Sequence, residues 1–88
     1  MIGIDELWSR VKSSEGEVFH QIRGGEFTYS IERDYLQLNR TNQAISKSDF
    51  KEALELVPLK DTTLVHHLRG PSYIYAILMD RRIRKDDW

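Results

Sequence analysis

An α+β domain is what this chain predicts: an N-terminal helix, a three-stranded antiparallel meander, and two or three C-terminal helices packed on one sheet face. Three observations carry that expectation. Ile4, Leu7, Trp8 and Val11 recur with a helical period, residues 27–32 alternate apolar with polar, and residues 45–57 hold several concordant helix-start signals.

Residues 4–13 form the first helix, with Arg10 and Lys12 opposite the apolar stripe and Gly16 as its stop. Residues 17–23 then alternate, Val18, His20 and Ile22 pointing one way and Phe19 and Gln21 the other. Gly24-Gly25 can both take the positive φ that a two-residue hairpin turn demands. Phe27, Tyr29 and Ile31 against Thr28, Ser30 and Glu32 make a half-buried strand. Arg33-Asp34 is a turn, residues 35–38 are the third strand, and residues 39–44 are a polar loop.

The helix over 46–57 is the best specified element. Ser46 can cap the Asp49 N–H while the Asp49 carboxylate reaches back, a capping box with Asp in place of Glu. Ile45 and Phe50 stand at the spacing of a hydrophobic staple, and Phe50, Ala53, Leu54 and Val57 form one stripe that Pro58 ends. Residues 61–69 can make one or two helical turns, capped by Asp61 or Thr62 and closed by Gly70. Pro71 suits the first position of another helix, whose buried face is Ile74, Ile77 and Leu78. A strand over 73–79 is the alternative by periodicity, and Pro71 favours the helix. Residues 81–85 leave the domain as a basic segment, followed by Asp86-Asp87-Trp88.

Eighty-eight residues make one domain, which buries roughly three-fifths to two-thirds of its unfolded surface. Without cysteine it has neither disulfides nor thiolate metal sites. The apolar run 74–79 is too short to cross a bilayer, and Asp5-Glu6 stand where a signal peptide has basic residues. A cytoplasmic protein with no membrane partner is expected. The formal charge of −1 conceals a gradient. Residues 1–34 carry four basic and seven acidic groups, whereas residues 69–88 carry five basic and three acidic. That basic end is modest beside a dedicated nucleic-acid binder.

Nothing in the pattern is catalytic. No glycine-rich phosphate cradle and no nucleophile elbow is present, and Ser46 and Ser48 are explained as helix-start residues. No catalytic residue, cofactor or metal is therefore assigned. His66-His67 would point about 100° apart on a helix, so they cannot face one ion together. One is expected to be partly buried and the other exposed. Trp8, Phe19, Phe27, Tyr29 and Phe50 are core rings.

Two helical segments, 46–57 and 61–69, precede a third that opens at Pro71-Ser72-Tyr73 and runs into Asp80-Arg81-Arg82-Ile83. This order resembles the recognition-helix half of winged helix-turn-helix domains. The resemblance covers less than half the chain, and here the hairpin precedes the helices where a wing follows them. It implies that Ser72, Tyr73 and Tyr75 approach base edges or sugar, while Arg69, Arg81, Arg82, Arg84 and Lys85 neutralise phosphates. Without it, the same residues are a core helix with a solvated basic end. Trp88 either folds back onto a groove or stays exposed as an interaction residue. The expected function is a small non-catalytic binding module associated with nucleic acid. The alternative is a protein–protein module or homodimer without nucleic-acid binding.

Overall fold

The computed structural model describes residues 2–88. It begins with helix α1 (Ile4–Ser13), whose first turn carries Asp5 and Glu6 and whose last turn carries Arg10 and Lys12, as the helix dipole favours. Its buried side chains are Leu7, Trp8 and Val11. Five short strands follow: β1 (Phe19–His20), β2 (Glu26–Phe27), β3 (Tyr29–Glu32), β4 (Tyr35–Leu38) and β5 (Ala44–Ser46). The last three form an antiparallel sheet in the order β3-β4-β5, with α2 (Lys47–Leu54), a 3₁₀ helix (Thr62–Val65), α3 (Pro71–Leu78) and α4 (Arg81–Arg84) completing the chain. The α+β architecture with a three-stranded antiparallel sheet stands.

The meander is composed differently from the sequence expectation. Residues 17–23 supply only β1, which pairs with β2 in a separate ribbon at Phe19↔Phe27 and His20↔Glu26. The third strand of the sheet is β5, drawn from Ala44 at the end of the expected polar loop and from Ile45-Ser46 of the helix-start signal. The break falls at Thr28, whose N–H donates to the Asn39 side-chain carbonyl and whose own carbonyl accepts the Asn39 N–H. Those bonds tie the chain to the end of β4 and stop β2 from running on into β3. The Gly24-Gly25 turn is corrected as well. The connection spans residues 21–25, with the Gln21 N–H donating to the Gly25 carbonyl at 2.8 Å, and only Gly24 has positive φ. At Gly25 a Cβ would lie 2.6 Å from Arg40 Nη1 and from Gln21 Oε1, the ends of two flexible side chains that would have to move aside.

In the sheet, Ile31, Leu36 and Ile45 stand in register across the three strands on the inner face, with Tyr29 and Leu38 paired beside them. The outer face carries Ser30, Glu32, Tyr35 and Gln37. The helices cover the inner face. Ser46 Oγ accepts the Asp49 N–H at 3.1 Å, and the stapling residues Ile45 and Phe50 are both fully buried. The reciprocal bond from the Asp49 carboxylate is not formed among the described residues; Ser46 is also the last residue of β5. Helix α2 closes at Leu54, so Val57 packs on the core from beyond its end. Asp61 caps the 3₁₀ helix by accepting the Thr63 N–H at 2.8 Å. Gly70 then adopts φ +64°, and a Cβ there would press on Ile45 Cδ1 at 3.0 Å, so both conformation and space select glycine.

Helix α3 resolves the helix-or-strand ambiguity and is the central element, touching α2, α4 and β1. The basic segment does not leave the domain. Asp80 accepts the Arg82 N–H and starts α4, Ile83 is fully buried, and the chain turns back toward α1. No described helix is long and apolar enough to cross a membrane.

Candidate functional site

The residues singled out for nucleic-acid contact divide into two groups at opposite ends of α3. At its N-terminal end, Ser72 Oγ accepts a hydrogen bond from Gln21 Nε2 at 2.8 Å, which clips the β1–β2 loop to the helix. Tyr73 packs edge-on against Phe27, ring centroids 4.9 Å apart, and Tyr75 is half-buried on the core. Arg69 precedes the helix and is exposed. Every residue of α3 is buried or half-buried. Its buried side chains are Ile74, Ala76, Ile77 and Leu78, while Pro71, Ser72, Tyr73 and Tyr75 stay partly open to solvent.

At the other end, Arg81, Arg82, Arg84, Lys85, Asp86 and Trp88 line one open cleft of about 510 Å³. These cations do different work. The Arg82 guanidinium lies 3.9 Å above the Phe19 ring, a cation–π arrangement across the fold. It donates to both oxygens of Asp80 at 2.9 Å, to Glu17 at 3.0 Å and to the Val18 carbonyl at 2.9 Å. The hydrogen bond to Asp80 is the main reason its pKa rises above the ordinary arginine value. The same bond holds the Asp80 carboxyl below the usual carboxylate range. Arg84 donates to the Trp88 main-chain carbonyl, from Nε at 2.6 Å and also from Nη2. Trp88 folds back: its Nε1–H donates to the Leu78 carbonyl at 2.7 Å, and the side chain is half-buried against the core.

Arg81 and Lys85 are exposed and have no carboxylate partner among the described residues. They are four apart, the Lys85 N–H donates to the Arg81 carbonyl at 3.1 Å, and both line the same cleft, although Lys85 itself has left the helix with φ +44°. Asp86 is the one carboxylate of the lining; neighbouring Asp87 is held at 2.6 Å by Arg10. Arg10 also donates to the Ile83 carbonyl at 2.8 Å and to Glu6 at 3.2 Å, fastening α1 to the end of α4. Burial opposes its charge, and the Asp87 and Glu6 carboxylates more than offset that, so its pKa is raised.

Arg10, Glu17 and Asp80 are the partners that sequence reasoning missed. Only Asp80 carried a readable signal, as an Asp before an Arg-Arg-Ile turn. His66 and His67 are both exposed, against the expectation that one is partly buried. No group of three His, Asp or Glu side chains that could hold a metal ion occurs among the described residues. Comparison with known protein families, with characterised proteins and with solved structures found no significant match to this chain.

Proposed function

We propose that the chain is a small non-catalytic binding module that associates with nucleic acid through the cationic cleft at its C-terminal end. The observation that carries this reading is the pair Arg81 and Lys85, uncompensated and adjacent on the rim of a cleft that Arg82, Arg84 and Trp88 complete. Arg82 and Arg84 already bind groups of the protein, so the phosphate contacts fall to Arg81 and Lys85. The α3 residues of the winged-helix expectation are engaged by the hairpin and the core, and the proposal does not use them for base reading. Binding of this kind is expected to weaken with salt. Replacing Arg81 and Lys85 together by Ala should reduce the salt slope by roughly 1.5, which corresponds to two lost phosphate contacts. Binding with an unchanged slope in that double variant overturns the assignment.

A second reading, a protein partner or self-association, has its own observation. Val18, just before β1, and Ile22, in the connection to β2, are large apolar side chains 46% and 62% exposed. Light scattering at low and high salt separates the two, because an apolar contact persists in salt while polyanion binding fades.

A further inference from the structure

We infer that the C-terminal cleft takes single-stranded rather than duplex nucleic acid, with one unpaired base against the Trp88 indole and flanking phosphates against Arg81 and Lys85. This rests on the polyanion reading above and names its ligand class. Three observations lead to it. The first is negative: α4 is four residues long, and of the partly exposed α3 side chains Ser72 and Tyr73 are engaged by Gln21 and Phe27, so neither helix offers a long free face to a duplex groove. The second is the lining itself, which sets a single aromatic residue among four basic ones and one carboxylate, Asp86. A ring beside cations suits an unpaired base and its backbone, because every base has a π-face and stacking needs no sequence readout. The third is fixation. The Trp88 indole is pinned by its Nε1–H to the Leu78 carbonyl, and Arg84 holds the Trp88 main chain, so little side-chain freedom remains to be lost on binding. A cleft of about 510 Å³ is in the range of sites for small organic ligands, large enough for one nucleotide.

The test uses the full chain at low salt with two fluorescein-labelled probes, an oligothymidylate and a hairpin duplex with the same number of phosphates. Anisotropy gives the affinities, and tryptophan emission gives an independent signal. The emission is read with unlabelled oligonucleotides, so no dye accepts energy; Trp8 is only 3% exposed, and contact quenching reports Trp88. The oligothymidylate is expected to bind about tenfold tighter than the duplex and to quench the emission. Trp88→Phe should keep most of that affinity and Trp88→Ala should lose about tenfold for the single strand. Equal or tighter binding of the duplex, or single-strand binding without quenching, overturns the single-strand inference and leaves the polyanion reading in place. If Trp88→Ala does not fold, the quenching of the intact chain decides by itself. Failure of both probes to bind at low salt overturns the inference and the proposed function together.

Discussion

The β1–β2 hairpin and the β3–β4–β5 sheet use similar residues and are held by different means. The sheet is locally organised. Its first two strands are joined by Arg33-Asp34, four residue pairs match across β3 and β4, and apolar side chains align on one face. The hairpin has two residue pairs, too few for independent stability. Its supports come from far along the chain: Arg82 on Phe19, Glu17 and Val18, Ser72 on Gln21, and Tyr73 on Phe27. One region is specified by its own pattern, the other by side chains whose hydrogen bonds to it reach across 51 to 65 residues.

The largest test of that contrast is Phe19→Ala. Phe19 is fully buried, within 5.9 Å of Phe27 and 5.4 Å of Tyr29 by ring centroid, and it carries Arg82 on its face. Truncation should cost about 3–5 kcal/mol, as for other buried phenylalanines. Thermal denaturation followed by circular dichroism measures it. A loss under about 1 kcal/mol would mean the hairpin is peripheral to the core.

Arg82→Met comes next. It keeps an apolar stem over Phe19 and removes the guanidinium, at an expected cost of about 1–2 kcal/mol. The figure is kept low because 37% of the side chain is open to solvent. Hydrogen exchange sharpens the comparison. Amides of residues 19–27 should lose protection while those of 29–46 keep theirs. Equal loss in both regions would show one cooperative unit and erase the distinction.

Legibility in the sequence follows the same line. The bounds of α1, the strand over 35–38, the Ser46 cap with its Ile45–Phe50 staple, and the Pro71 start of α3 were all readable, because each is fixed by neighbours within a few residues. The hairpin register and the break at Thr28 were not, because bonds with Asn39, Ser72 and Arg82 decide them, and strand β5 was not, because only its pairing with β4 makes it a strand. The candidate site divides in the same way. A basic run at 81–85 is visible as charge, but which cations remain free depends on where Glu17, Asp80 and the Trp88 carbonyl lie. Trp88 could only be read as docked or exposed until the Leu78 carbonyl was placed beside its indole.

Acid titration probes the latch from its carboxylate side. Asp80 is held below the usual carboxylate range chiefly by Arg82. A depressed folded pKa contributes stability above the unfolded value near 3.9, and that stability is lost as pH falls through the folded value. Asp80→Asn retains a side-chain oxygen for the Arg82 N–H and removes the charge. It should therefore cost about 1 kcal/mol at neutral pH and nothing relative to the parent at the acid end. Urea midpoints across pH 2–7 measure the difference, and a gap that stays constant with pH would assign the latch to shape rather than charge.

Tyr29 offers the smallest effect and the opposite sign with pH. It starts β3 and is 3% exposed, and its hydroxyl donates to the Val11 carbonyl at 2.7 Å, joining the sheet to α1. Burial drives its pKa well above the ordinary tyrosine value, so the folded state keeps a proton that the unfolded chain releases above about pH 10. Stability from that proton is complete below pH 10 and declines as pH rises past it, the reverse of the Asp80 case. Tyr29→Phe removes the titration and the bond together. The Val11 carbonyl still accepts the Ser14 N–H at 3.3 Å, so it is not orphaned and the neutral-pH cost should be only about 0.5–1 kcal/mol. Between pH 10 and 11.5 the parent should lose stability faster than Tyr29→Phe, and the two denaturation midpoints should converge. Parallel decline would place the alkaline sensitivity in the exposed tyrosine and lysine side chains instead, and would remove Tyr29 as the tie between helix and sheet.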